Sequence, residues 1–336
     1  MSVSSGKNNL RIGLAGAGHL GSFHGNLLHA TPGAVFAGVF DINSARAAEQ
    51  AARWQVPPFA SFEQLLAECD AVDIAATTSA HENLALQAIA AGKHVFVEKP
   101  LAHSVAAGQR MVAAAGAAGV VLQVGHVERF NRAVRALSGI TIEPRFIESH
   151  RLAPYKPRGV DVSVVFDLMI HDLDVILHFI PDAVVQIAAS GVAVVSPAPD
   201  IVNARITFTR GQVANVTASR LSLNPMRKMR MFQSSSYVAL DFQTGVAEII
   251  YLREDHPEWS GMPLLPMTLA SGESKTITRL QPEAPEANAI GLELETFVKA
   301  VRGEAAAPVT GEQALKALEV AHNIEHAVQV SGFEMK

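Results

Sequence analysis

The sequence predicts an α/β protein of two domains, an N-terminal doubly wound parallel sheet followed by an α+β domain with a large, mostly antiparallel sheet. Three observations predict it. Residues 10–125 alternate short apolar strands with helical stretches, the rhythm of parallel strands joined by helical crossovers. A G-x-G-x-x-G run, Gly16-Ala17-Gly18-His19-Leu20-Gly21, lies at the first strand-to-helix junction. After Pro181 the rhythm changes to consecutive strands with short turns, the pattern of an antiparallel meander. A chain of 336 residues exceeds one typical core, and the boundary is expected near Gly125, giving domains 1–125 and 126–336.

The first strand, Leu10 to Ala15, feeds directly into the glycine run. Gly16 allows a tight turn, Gly18 lets backbone approach a pyrophosphate, and Gly21 lets helix and strand pack closely. The helix start, with His19 and Leu20 in its first turn, offers free N–H groups and a positive dipole end to phosphates. The second strand, Ala34 to Phe40, ends in Asp41, where a carboxylate accepts ribose hydroxyls and repels a 2′-phosphate. This predicts NAD rather than NADP, although Arg46, five residues on, is the cation that would shelter such a phosphate.

A helix over Ser44–Trp54 breaks at Pro57-Pro58, and a short one follows over Phe62–Glu68. Strand Ala71–Thr77, helix His81–Ala91 closed by Gly92, strand His94–Glu98, helix Ser104–Ala118 and strand Val120–Val124 complete the first domain. The second domain opens with a helix over Arg129–Leu137, a strand over Arg145–Arg151, a loop over Pro154–Asp161, and one long apolar helix over Val164–Ile180. Six strands follow: 184–195, 202–208, 213–221, 227–233, 237–242 and 247–252. Residues 254–274 lack periodicity and are expected to form a surface loop. Two helices, 286–301 and 310–330, close the chain, the second opened by the capping box Thr310-Gly311-Glu312-Gln313.

Composition excludes several classes. A net charge of −5 gives no basic footprint for nucleic acid or an anionic membrane. Cys69 is the only cysteine, which rules out a disulfide and a Cys-based metal site and reads as a small buried hydrophobe. No stretch has the apolar length of a membrane-spanning helix, and the N-terminus lacks a signal-like apolar core, so a cytoplasmic protein is expected.

Two features carry chemistry. Glu98-Lys99-Pro100 ends a parallel strand at the carboxyl edge of the sheet, where ligands bind in such folds. Pro100 biases Lys99 toward an extended backbone. Beside an oxidised nicotinamide, a lysine is a proton carrier with a lowered pKa; the alternative is a strand-end lysine reaching into water. In the long helix Asp167, His171, Asp174 and His178 fall at i, i+4, i+7 and i+11, on one face. They read as a catalytic His171 oriented by Asp167, as a metal pair, or as a solvent-facing polar stripe.

Taken together, these pieces resemble the glucose-fructose oxidoreductase, inositol dehydrogenase and MocA superfamily over nearly the whole chain. The matching segments are 16–21, Ala91-Gly92-Lys93-His94-Val95-Phe96-Val97-Glu98-Lys99-Pro100, and Asp167-x-x-x-His171. The resemblance implies an NAD-binding Rossmann domain and a sugar site lined by Lys99, Asp167 and His171, which handle the hydroxyl proton during hydride transfer. It requires no metal. It also places Glu98, Lys99 and the loop Thr77-Thr78-Ser79-Ala80-His81 against the cofactor, though Thr78 stands where a proline often follows the threonine.

A narrower resemblance lies in Gly125-His126-Val127-Glu128-Arg129-Phe130-Asn131 and in residues 167–174. These are similar to the branch that oxidises UDP-N-acetylglucosamine to a 3-keto sugar nucleotide, which an aminotransferase then converts to an amino sugar of lipid A. The resemblance implies a small sugar or sugar-nucleotide substrate bound by Arg129, Asn131, Asp167 and His171. Arg151, Tyr155, Lys156 and Arg158 suit a diphosphate or, equally, form a charged surface loop. A free polyol or inositol as substrate, and a non-catalytic dinucleotide-binding regulator, are the competing readings. The apolar second-domain strands pack either on another subunit, as a homodimer or homotetramer, or under helices of their own chain.

Overall fold

The computed structural model describes residues 9–155 and 162–330. The chain divides into two compact units: residues up to Val127 with Ala287–Leu318, and Glu128–Glu286 with the chain from Glu319 onward.

The first unit contains β1 (Leu10–Ala15), α1 (His19–Leu28), β2 (Ala34–Phe40), α2 (Ser44–Trp54), α3 (Phe62–Ala67), β3 (Ala71–Ile74), α4 (Thr78–Ala90), β4 (His94–Glu98), α5 (Val105–Ala118) and β5 (Leu122–Gly125). The five strands are all parallel, in the order β2-β1-β3-β4-β5. An isolated parallel bridge joins Val39 to Pro58 outside β2. Counted as a vestigial strand, it gives the 3-2-1-4-5-6 order of dinucleotide-binding sheets. Pro57 and Pro58 have no N–H to extend that ladder, which holds it to one bridge. Both orders reverse direction beside β1, so the switch point lies at the carboxyl ends of β1 and β3.

A single boundary after Gly125 does not describe this unit. Helix α8 (Ala289–Val301) buries Leu294, Phe297 and Val298 in the same apolar core as Ile12, Leu14 and Phe96. The rings of Phe96 and Phe297 meet edge-on with centroids 5.8 Å apart. Gln123 of β5 donates to the Glu293 carbonyl at 3.0 Å, securing the helix at its polar end. Cys69 is buried, and that burial pushes its thiol up to about 11.

The second unit holds α6 (Arg132–Arg135), β6 (Phe146–Leu152), α7 (Ile170–Phe179) and β7 to β14 (Val184–Val192, Ile201–Phe208, Val213–Ser219, Met226–Phe232, Ser236–Asp241, Val246–Leu252, Met262–Thr268 and Ser274–Leu280). These strands form one nine-stranded sheet, β13-β14-β12-β11-β10-β6-β9-β8-β7. It is not a simple meander, because β6 inserts between β9 and β10 and runs parallel to β9. The buried face alternates along the strands, as in Val202, Ala204, Ile206 and Phe208 of β8.

Two further elements differ from expectation. The span 254–274 contains β13, paired with β14. It is an edge strand with Pro263 and Pro266 and exposed Met262, Leu264 and Leu265, so it never shows alternating burial. The long apolar helix is a π-helical turn over Val165–Met169 followed by α7. Val164, Val165, Met169 and Ile170 are all buried, and a run apolar on every side carries no periodicity that separates the two helix types. Helix α9 (Gly311–Val330) opens with a reciprocal capping box: Gln313 N–H donates to Thr310 Oγ1 at 3.4 Å and Thr310 N–H to Gln313 Oε1 at 3.1 Å.

Candidate active site

The turn between β1 and α1 is built around its glycines. Gly16 takes φ +103°, and a Cβ there would meet the Ala75 carbonyl oxygen at 2.6 Å. A Cβ on Gly21 would fall 1.9 Å from the Gly16 oxygen. At Gly18 the equivalent position is open, its nearest neighbour an Arg46 nitrogen at 3.9 Å. Gly18 is the N-cap of α1, and no side chain caps that end. Two glycines close the turn and the third leaves backbone bare at an uncapped helix start, the geometry that accepts a pyrophosphate.

Asp41, at the end of β2, holds this turn in place. Its Oδ2 accepts the Ala17 N–H at 2.8 Å and its Oδ1 the Asn43 N–H at 2.8 Å. Each carboxylate oxygen keeps a lone pair for a ribose hydroxyl. Arg46 Nη1 lies 3.6 Å from Asp41 Oδ2, on a side chain 47% exposed. His19 and Leu20 are exposed on the first turn of α1. Beside it, Thr77 is the exposed N-cap of α4, with its hydroxyl 3.3 Å from that of Ser79, and Thr78 is half-buried. These residues fit NAD.

His81 and Glu98 do not line this surface. His81 is buried, with Nδ1 3.0 Å from the Pro100 carbonyl and Nε2 3.2 Å from that of Ala76. Burial holds the ring below its ordinary pKa, so one nitrogen donates and the ring braces the loop after Lys99. Glu98 is also buried; its Oε2 accepts the Lys99 N–H at 3.1 Å and its Oε1 lies 3.0 Å from His24 Nε2. The resemblance implies cofactor contacts at both positions; their side chains are instead engaged inside the unit, with the backbone on either side of Lys99. Lys99 itself is half-buried at the carboxyl end of β4.

In the second unit, Asp167 sits in the π-helical turn and His171 in the first turn of α7, both half-buried. Further along the stripe, Asp174 and His178 are both bound by one cation. Arg129 donates to both oxygens of Asp174, at 2.7 and 3.0 Å, and to His178 Nδ1 at 3.0 Å. Partial desolvation and the Arg129 charge keep His178 below its ordinary pKa.

This corrects the substrate-binding set. Arg129 is consumed by Asp174, and Asn131 caps α6 while donating to Glu128 and the Phe242 carbonyl. Arg151 is buried, its guanidinium held by Asp172 and Glu128 at 2.7 to 2.9 Å. None of the three presents a group to a diphosphate. Tyr155 is exposed, and Lys156 and Arg158 lie outside the described residues. A cleft of about 720 Å³ in this unit, lined by Arg129, Arg135, His178 and Glu283, contains neither Asp167 nor His171. Among the described residues no His, Cys, Asp and Glu group could hold a metal, and no helix is long and apolar enough to cross a membrane.

Known proteins match this architecture. The oxidoreductase family with an NAD-binding Rossmann fold matches residues 10–126. A UDP-N-acetylglucosamine 3-dehydrogenase of Acidithiobacillus ferrooxidans is 40% identical over 243 residues, covering 72% of this chain and 77% of that protein. The chain belongs to this oxidoreductase family. As a member it is an NAD-binding oxidoreductase. Another relative, an inositol 2-dehydrogenase of Cereibacter sphaeroides, is 35% identical over 189 residues, 53% of this chain and 56% of that one. Among solved structures, the A. ferrooxidans 3-dehydrogenase superposes with a TM-score of 0.85 at 33% identity, over 96% of this chain and 98% of that chain. A structure of GenD2 in complex with NAD shares the fold, with a TM-score of 0.78 at 19% identity.

Sequence reasoning missed two residues of this family member that stand behind Lys99. His24 and Asp73 are wholly buried, and their side chains meet at 2.8 Å. A histidine in the middle of α1 and an aspartate inside the apolar strand Ala71-Val72-Asp73-Ile74 were the available signals. A buried charge in a central parallel strand needs a partner.

Proposed function

We propose that the chain is an NAD-dependent sugar-nucleotide dehydrogenase that oxidises the 3-hydroxyl of UDP-N-acetylglucosamine or a close relative to a 3-keto sugar. The observation that carries this reading is the likeness to the A. ferrooxidans 3-dehydrogenase across both units, 0.85 in TM-score at 33% identity. Lys99, Asp167 and His171, the residues that the family resemblance assigns to the sugar site, support it. Bound NAD supplies the hydride acceptor. The turn from Gly16 to Gly21 and Asp41 seat the cofactor; Lys99 and His171 carry the proton released from the sugar hydroxyl, and Asp167 orients His171. We place this chemistry in the cytoplasm, in a homodimer or homotetramer formed through the large sheet.

The test is a panel of UDP-sugars, free N-acetylglucosamine and inositol, with NAD, followed by absorbance of the reduced cofactor. UDP-N-acetylglucosamine is expected to turn over far faster than free N-acetylglucosamine, because binding energy from the nucleotide positions the hydroxyl. Inositol turning over as fast as any UDP-sugar would move the assignment to the inositol dehydrogenases.

A further inference from the structure

Behind the carboxyl end of β4 lies a line of ionisable groups drawn from three elements of the first unit. Asp73 of β3 places Oδ2 2.8 Å from His24 Nδ1, and Glu98 of β4 places Oε1 3.0 Å from His24 Nε2. The Asp73 and His24 side chains are 0% exposed and that of Glu98 is 8% exposed. The far oxygen of Glu98 accepts the backbone N–H of Lys99 at 3.1 Å. A carboxylate thus lies at each ring nitrogen, hydrogen-bonded at Nδ1 and at ion-pair distance from Nε2, a setting that favours the doubly protonated ring over the neutral one, which has only one N–H to give. Burial pulls the ring's pKa down, but Asp73 and Glu98 outweigh it and hold His24 well above its ordinary value.

The surroundings are shaped for this carboxylate. Glu98 pairs with Gly125 where the β4–β5 ladder ends. A Cβ on Gly125 would sit 2.7 Å from Glu98 Oε1, so only glycine leaves room for the carboxylate to turn inward. Lys99 lies one residue beyond that ladder, and the Glu98 side chain gives its N–H the partner that a strand no longer supplies. On the other side of Lys99, His81 meets the Pro100 carbonyl at 3.0 Å. Stability does not account for such an arrangement, because apolar residues of similar volume generally serve as well as buried ion pairs.

We infer that His24, Asp73 and Glu98 are positioning residues for Lys99. The imidazolium, clamped by Asp73, fixes the Glu98 carboxylate, which fixes the backbone from which the Lys99 side chain reaches its proton. This rests on the reading of Lys99 as the proton carrier. A flexible four-carbon stem can place its amine only as well as its base is held, and misplacement of a reacting group by about 1 Å costs on the order of a hundredfold in rate.

The experiment compares Glu98→Ala, Glu98→Gln, His24→Ala and Lys99→Ala, and combines each alanine change with Lys99→Ala. Readouts are kcat on the UDP-sugar that turns over, KM, and the Kd for NAD. Glu98→Ala and His24→Ala are expected to lower kcat by about 10- to 100-fold with NAD affinity and KM little changed. Glu98→Gln keeps an acceptor for the Lys99 N–H and an amide for a neutral His24, so it is expected to recover most of the Glu98→Ala loss. Once Lys99 is alanine, removing Glu98 or His24 should cost nothing more. Glu98→Ala leaves the His24–Asp73 pair intact, so it decides the matter if His24→Ala does not fold. Folded variants with wild-type kcat, or losses that multiply with that of Lys99→Ala, would overturn the inference. A fully active Lys99→Ala would instead remove the proton-carrier reading and this inference with it, a result distinct from the first two.

Discussion

Arg151 and Asp172 grip each other in parallel, Nε to Oδ2 at 2.9 Å and Nη2 to Oδ1 at 2.8 Å, with almost no solvent at either group. The third guanidinium nitrogen donates to Glu128 at 2.7 Å. Because Asp172 follows His171 directly, this pair ties the start of α7 to β6. It is part of the scaffold that carries His171.

Removing Arg151 leaves two buried carboxylates without their cation. Arg151→Ala is expected to cost about 3–5 kcal/mol of stability. The check is a thermal melt together with KM for the UDP-sugar on the fraction that stays folded. A large drop in melting temperature with KM unchanged is the expected outcome. Normal folding with weakened nucleotide affinity would return Arg151 to the binding set.

Cofactor choice follows from the two contacts of Asp41. Its carboxylate would repel a 2′-phosphate while accepting ribose hydroxyls, so NAD is expected to bind more tightly than NADP. Since Oδ2 also accepts the Ala17 N–H, Asp41→Ala removes a support of the glycine turn as well. NAD affinity is expected to fall by about tenfold or more, the worth of a charge-assisted hydrogen bond. Titrating both cofactors into both proteins reads this. A wild type that prefers NADP would mean that Arg46, 3.6 Å from the carboxylate, governs the site.

For the two proposed proton carriers, Lys99→Ala and His171→Ala are each expected to lower kcat by about 10²- to 10⁴-fold. The Kd for NAD should change little, because neither residue belongs to the glycine turn. Near-normal turnover in both variants, on a substrate that the wild type oxidises, would assign the proton transfer to other residues.

How much of this was legible depends on whether a residue's role is local. Gly16, Gly18 and Gly21 act through the turn they belong to, so their spacing marks that turn; Asp41 reaches it from the end of β2, 24 positions from its partner Ala17. Lys99 was legible because Pro100 and the strand before it fix its place at the sheet edge. The roles of Arg129, Asn131 and Arg151 depended on partners 3 to 111 positions away. A cation in a loop looks the same in sequence whether it awaits a phosphate or already holds an aspartate. Strand β13 was invisible for another reason: an edge strand of mostly exposed residues has no buried face to impose a period of two.

The His24 cluster makes the pH dependence of stability readable. The imidazole's folded-state pKa is raised, so its contribution is complete below the ordinary value of 6.5 and is lost as pH climbs through the elevated one. Asp73 and Glu98 supply the charges that raise it. A neutral replacement such as His24→Gln lacks that dependence while keeping an amide to donate to the two carboxylates. The gap in melting temperature between wild type and His24→Gln should therefore be widest at acidic to neutral pH and narrow on the alkaline side. Melts of both proteins across that range measure it. A gap that is flat with pH would mean that the ring is neutral when folded, and one that widens with pH would reverse the sign assigned to the pair.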